Sequence, residues 1–378
     1  MSDHIRFISD RADGRFVSTA GFVHAYLKSV RPKLAFDPNI SPEDFPAWQE
    51  AVRDKLREVM RFPKVPEQPE PRQLWSQQRE GYELQKWEAY PEPLSVAPFV
   101  VLVPDGASES SPAAAVLCSP GSATSKELLA GESECDGSES NNRHPVRNRM
   151  AWWYAKEGMV AVAVDNPGIG ELSDPIRPER HEISVHTIWA GRHYEGLSVF
   201  QRLPILEWLK QQPYVDENRV AVSGHSLGAK PSLILGVLDP SIAAVVWNDF
   251  VSDWRERAVA ENLLRISIHQ YVPGLLEWFD YTDLMASLAP RPLLISEGGR
   301  TRDIERVREA YRLLGAEEDI EVVYYPKYAT PDLRPYDDVE LPEGLTMEEY
   351  FDYANVDVPQ HCFKENVAVP WLSRVLKQ

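Results

Sequence analysis

The sequence predicts an α/β fold, a mostly parallel central sheet flanked by helices, and three observations lead there. From about Val96 onward short runs that are apolar throughout recur; helical segments separate them; and one run leads into Gly224-His225-Ser226-Leu227-Gly228, where a strand turns sharply into a helix. Strands apolar along their whole length belong to a sheet covered on both faces, and their alternation with helices is the pattern of parallel pairing. The strand candidates are Phe99 to Val103, Ala114 to Cys118, Val160 to Val164, Val220 to Val222, Ala244 to Trp247, Leu293 to Ser296 and Ile320 to Tyr324. Helices are expected at Arg147 to Lys156, Leu197 to Lys210, Ser226 to Leu238, Arg302 to Leu314 and Asn366 to Leu376. Catalytic groups in such a sheet collect at the carboxyl ends of the strands.

Ahead of this pattern, residues 1–93 show no strong strand and read as an N-terminal helical arm packed on a main domain of residues 94–378. Phe45 to Met60 is an amphipathic helix, because Phe45, Trp48, Val52, Leu56 and Val59 share one face. Pro63, Pro66, Pro69 and Pro71 then forbid a continuous helix and mark an extended connector. Gly131 to Asn142, rich in Ser, Glu and Gly, reads as an exposed loop. Residues 250–283 carry Trp254, Trp278, Phe279 and Tyr281, which fit either a cap over a pocket or the packing of ordinary helices.

A chain of 378 residues with 43% hydrophobic content can bury a full core. Its net charge of −18, with no Lys/Arg-rich run, repels nucleic acid and anionic lipid. Solvated acidic groups on helix faces account for that charge without a special partner. Cys118, Cys135 and Cys362 are odd in number and far apart, so they outline neither a disulfide framework nor a metal site, and a reducing compartment fits. Met1 to Arg6 lacks the apolar core of a signal peptide, and no apolar stretch is long enough to span a bilayer. A soluble, cytoplasmic protein without membrane or nucleic-acid partners is the expectation; nothing in the composition fixes an oligomeric state.

Gly224-His225-Ser226-Leu227-Gly228 makes Ser226 the first candidate for chemistry, since a strand–turn–helix with small residues on either side lifts a serine oxygen clear of the sheet. A serine hydroxyl is a poor nucleophile near neutral pH and requires a base in hydrogen-bond reach, with a carboxylate to orient that base. In this architecture the chain order is serine, acid, histidine, which leaves His269 and His361. His361 is preferred because it sits in the loop before the C-terminal helix, whereas His269 falls inside residues 250–283. For the acid, Glu297 at the end of Leu293 to Ser296 is the first choice, with Asp303 and Asp249 as alternatives. The oxyanion donors expected are the backbone N–H of Leu227 and a group from Ser122 in Ser119-Pro120-Gly121-Ser122-Ala123. Asp165 to Glu171 lacks the third glycine of a dinucleotide fingerprint and the Lys-Ser/Thr ending of a phosphate loop, and reads as a turn bordering the site. His181, His186 and His193 lack a companion set at ligand spacing, so no metal and no cofactor are expected.

With these residues placed, the chain resembles the α/β-hydrolase superfamily, and within it the bacterial acetyl xylan esterase-like hydrolases. The resemblance runs through Phe62-Pro63, Asp165-Asn166-Pro167-Gly168, the Ser226 pentapeptide, Asn248-Asp249-Phe250, Pro290-Arg291-Pro292 with Glu297-Gly298-Gly299, and His361-Cys362-Phe363 before Pro370-Trp371-Leu372. It implies an α/β-hydrolase fold and hydrolysis of small ester groups, acetyl or methyl, on plant or algal polysaccharide fragments. Two positions depart from the pattern: Ser119-Pro120-Gly121 where many relatives have His-Gly, and Thr301 where an acid would stand. The reading is a serine esterase acting through an acyl-enzyme on a small-molecule or oligosaccharide ester. The rival readings are a serine peptidase of the same fold and a non-catalytic binding protein.

Overall fold

The computed structural model describes residues 7–122, 124–132, 143–174, 180–261 and 267–377. Most of the stretch expected as an exposed loop, including Cys135, lies outside the described residues, as do Met1 to Arg6. Nine strands form one sheet: β1 (Arg72–Arg79), β2 (Tyr82–Ala89), β3 (Ala97–Pro104), β4 (Ala113–Ser119), β5 (Val160–Val164), β6 (Val215–His225), β7 (Ala244–Asn248), β8 (Leu293–Ile295) and β9 (Ile320–Val322). Their order is β1-β2-β3-β5-β4-β6-β7-β8-β9. The first three pairings are antiparallel, and from β5 through β9 every pairing is parallel. This is the mostly parallel, two-sided sheet that the apolar runs imply, and the α/β-hydrolase architecture that the resemblance implies.

Period-two alternation in β5 shows how the sheet makes two cores. Val160, Val162 and Val164 face the layer that holds helices Phe45–Met60, Tyr194–Lys210 and Ala229–Leu238. Ala161 and Ala163 face the layer of helices Met150–Lys156 and Glu365–Val375. With both faces covered, the carboxyl ends of the parallel strands are the open side of the sheet.

The helix Phe45–Met60 has the expected bounds and buries Phe45, Val52, Leu56 and Val59. Its polar side is also tied down: Arg53 and Arg57 donate to the carbonyls of Val237 and Leu238. Those carbonyls end the helix Ala229–Leu238 that follows the elbow, and a helix C-terminus needs such donors.

Residues before Pro93, expected to hold no strong strand, form β1 and β2. β1 is exposed along nearly its whole length, a polar edge strand bonded to β2 alone. Backbone pairing and contacts such as the Arg72–Glu88 ion pair define β1 rather than an apolar pattern, whereas β2 buries Tyr82, Leu84 and Ala89 without an unbroken apolar run. Leu56, on the N-terminal helix Phe45–Met60, is fully buried in the core it shares with the helix Ala229–Leu238. Leu56→Ala is therefore expected to lower unfolding free energy by about 2–5 kcal/mol, read from the urea midpoint; a change under about 0.5 kcal/mol, the level of a surface substitution, would show that the helix is not part of the core.

Candidate active site

β6 ends at His225, and Ser226 follows with φ of 52°, in the left-handed region that a residue with a side chain seldom enters. Such strain, of order 1–3 kcal/mol, persists where the surroundings over-determine the backbone. Here a 3-10 turn, Ser226–Gly228, runs straight into the helix Ala229–Leu238. A Cβ on Gly228 would stand 2.2 Å from the carbonyl oxygen of Ser119, so the elbow packs backbone to backbone on the exit of β4. Gly121 makes a second close approach: a Cβ there would lie 2.7 Å from His225 Nδ1 and 3.6 Å from Ser226 Cβ. The loop bearing exposed Ser122 thus passes beside a partly exposed Ser226, while Leu227 is buried with Ile169 and Tyr194.

That loop is anchored from the turn after β5. Asn166 Nδ2 donates to the Pro120 carbonyl at 2.7 Å, and Arg202 bridges Asn166 Oδ1 and Ser119 Oγ at 2.7 and 3.1 Å. Buried Asp165 accepts from the Lys126 backbone N–H at 2.6 Å and from its ammonium at 2.8 Å. Burial pushes the Asp165 carboxyl up to about 6 despite the opposing charge of Lys126. Residues 165–171 are therefore a bordering turn, as the sequence suggests.

The last loop brings His361 to the same end of the sheet, its ring centroid 4.8 Å from that of His225. His361 Nδ1 pairs with Glu297 Oε2 at 2.6 Å, which leaves Nε2 for other work. Glu297, fully buried just past β8, also accepts from Lys364 Nζ at 2.6 Å and from the Cys362 N–H at 3.3 Å through Oε1. Burial pushes the Glu297 carboxyl up, but the charges of His361 and Lys364 and the hydrogen bond to His361 outweigh it and hold the group at about 2. For His361, burial disfavours the proton; the charge of Glu297 and the bond to it prevail and raise the imidazole to about 9. His225 is held well below the ordinary histidine value, by burial first and then by the charge of His361. Asparagines fix the loop: Asn248 donates to Cys362 O and accepts from the Lys364 N–H, and Asn148 accepts from the Phe363 N–H.

The other sequence candidates lie elsewhere or bond otherwise. Asp303 accepts from the Asp253 N–H and contacts Arg302. Asp249 accepts from the N–H of Phe250, and burial raises it to about 6. Thr301 is bonded to Asp337. His269 packs against Tyr194 with ring centroids 5.5 Å apart, and His193 caps the helix Tyr194–Lys210 by accepting from the Gly196 N–H. His225, Glu297 and His361 gather ligand-type atoms within 4.8 Å of one another. The Lys364 ammonium on Glu297 opposes a second cation at that position. No described helix is long and apolar enough to cross a membrane. A cavity of about 630 Å³ opens between Lys28, Arg255, Asp280 and Glu343, and none of Ser226, Glu297 or His361 lines it.

A model of the abhydrolase family matches residues 1–374. The chain belongs to that family. A candidate acetyl xylan esterase from Bacteroides fragilis NCTC 9343 is 39% identical, with a TM-score of 0.91 over 98% of each chain. This abhydrolase is thus acetyl xylan esterase-like over its whole length. The methylesterase BT1017 shares the fold, with a TM-score of 0.57 and 18% identity over 94% of this chain and 73% of the other. A protein named as a candidate hydrolase, YtaP of Bacillus subtilis (strain 168), is 25% identical over 145 residues, 38% of this chain; the match spans about half of that relative, 48%.

Sequence reasoning on this abhydrolase missed Lys364, the clamps from Asn148 and Asn248, and the approach of His225 to His361. The one available signal was Asn248 at the end of a strand, where an amide is free to serve a neighbouring loop. The Glu297–His361 pair also links stability to pH. The raised His361 contributes fully below its unfolded value near 6.5 and the contribution is lost as pH rises through about 9. The depressed Glu297 contributes above its unfolded value of about 4.3 and is lost as pH falls through about 2. An NMR titration is expected to place His361 above about 6.5 in the native protein and lower in Glu297→Gln, where burial is no longer opposed; an unchanged value would break the link to the carboxylate.

Proposed function

We propose that the protein is a serine esterase that removes small acyl groups, acetyl first, from carbohydrate-type esters through Ser226, His361 and Glu297. The observation that carries this is the hydrogen-bonded His361–Glu297 pair delivered beside a strained serine elbow. No hydrogen bond joins Ser226 Oγ to His361 among the described residues; catalytic contacts of this kind tighten when substrate arrives. The acetyl group is favoured because the whole-length structural relative carries an acetyl xylan esterase assignment. A methyl ester on the same kind of fragment is the second substrate of the reading.

In the reaction Ser226 Oγ attacks the ester carbonyl while His361 Nε2 takes its proton. Glu297, held ionised, stabilises the imidazolium and fixes the ring. The Leu227 N–H and a donor from Ser122 receive the oxyanion, an arrangement in which each donor is worth about 3–4 kcal/mol of transition-state stabilisation. Collapse expels the sugar hydroxyl, protonated by His361, and leaves acyl-Ser226. Water activated by His361 then releases the acid and restores the serine. Residues 250–261 and 267–283 act as a cap in this reading, with Trp254 and Tyr281 packed around the buried side-chain nitrogen of Lys230 on the helix behind the elbow. Buried free thiols at Cys118 and Cys362 support work in a reducing cytoplasm on imported fragments.

Ser226→Ala is expected to lower turnover of a short aryl acetate by roughly 10³-fold or more while the variant stays folded. Full turnover by a folded Ser226→Ala protein would end the proposal. Cleavage of an aminoacyl anilide with no cleavage of the acetate would replace it by a peptidase.

A further inference from the structure

We infer that Lys364 is a positioning residue of the proposed hydrolytic site: one ammonium bonds the buried acid and both carbonyls that bracket His361, fixing base against acid and tempering the base's affinity for a proton. The inference rests on the serine-esterase reading. An ammonium has three donors, and here each has an acceptor. Lys364 Nζ lies 2.6 Å from Glu297 Oε1, 2.5 Å from Gln360 O and 2.9 Å from Cys362 O. Gln360 and Cys362 are the neighbours of His361 on either side, so one cation clamps the histidine's backbone and its carboxylate partner together. The side chain is only 11% exposed, and its charge sits 4.9 Å from the centroid of the Tyr325 ring. Without it, Glu297 Oε1 would lose its shortest bond and keep the 3.3 Å N–H of Cys362, inside a pocket where Glu297 has no exposure and the Tyr325 hydroxyl is its neighbour.

A staple that served folding alone could be apolar. A cation does something more, because it acts on protonation equilibria across a low-dielectric space. The groups facing His361 set the balance. Glu297 and Asp249 favour the imidazolium, and Lys364 opposes it. His225 stays neutral through burial and the charge of His361, and the Tyr325 hydroxyl stands 3.5 Å from Nδ1. On the outer side Arg147 pairs with Glu365, and His144 bonds the Pro359 carbonyl. Lys364 is thus the cation in direct contact with the pair, keeping the acid ionised while preventing the base from becoming too strong to give its proton back to the leaving group.

The experiment begins with fluorophosphonate labelling of the wild-type protein, mapped to the modified residue. Absence of label on Ser226 would defeat the esterase reading itself, whatever Lys364 does. With Ser226 labelled, kcat/KM on an aryl acetate is followed against pH for Lys364→Met and Lys364→Arg. In Lys364→Met the acid limb is expected to move up by about one pH unit, and the plateau to fall roughly ten- to hundredfold as the histidine loosens. Lys364→Arg, which keeps the charge, should hold the limb in place and recover part of the plateau. A limb that stays put in Lys364→Met, or that moves as far in Lys364→Arg, overturns the inference. If the methionine variant does not fold, Lys364→Gln takes its place with the same expectation; if neither neutral variant folds, the limb of Lys364→Arg decides, held for the inference and displaced against it.

Discussion

The Glu297 carboxylate sits where water does not reach, and much of the end of this chain is arranged around that fact. An ionised carboxylate in such a place is costly unless charge and hydrogen bonds meet it. Residues 361 to 364 bring an imidazole, an ammonium and a backbone N–H, and the Tyr325 hydroxyl lies against the same group. The acid itself is placed by the end of β8, so the sheet determines where the last loop must dock. Asn148 and Asn248 then close the remaining backbone valences of that loop.

The opposite wall of the site follows a different logic. There the elbow and the loop after β4 meet without side chains between them, because Gly228 allows the Ser119 carbonyl to come within a distance no Cβ would tolerate. The loop is braced from behind by Asn166 and Arg202, which are buried and fully engaged. A rigid backbone wall on one side and a charge-held loop on the other leave the partly exposed serine between them.

The fold was legible where the chain obeys a single short-range rule. Val160 to Val164 was bounded correctly because five apolar residues in a row have one home in a two-sided sheet, and Phe45 to Met60 because its apolar face repeats at helical spacing. β1 escaped because an exposed edge strand need not be apolar, its partner supplying the hydrogen bonds, and β2 because its buried positions, Tyr82, Leu84, Gln85 and Ala89, form no unbroken apolar run. The elbow was readable for the same local reason, since small residues must flank a sharp turn. The choice among Glu297, Asp303 and Asp249 stayed open in sequence because all three are acids near strand ends, and only folding decides which one meets an imidazole. Lys364 was invisible to pattern altogether. Its meaning lies in acceptors from two neighbours in sequence and from a carboxylate 67 positions away.

The antiparallel strands at the start of the sheet carry a different implication. β1 leaves one row of backbone groups unpaired, the kind of border along which a second chain could zip. Arg72 and Arg79 bracket that border, and Arg79 is tied back to Glu132 through both carboxylate oxygens. Any incoming strand would have to bury these guanidinium groups beside its own backbone, so the rim discourages fibre-like growth while the polar residues keep it wetted.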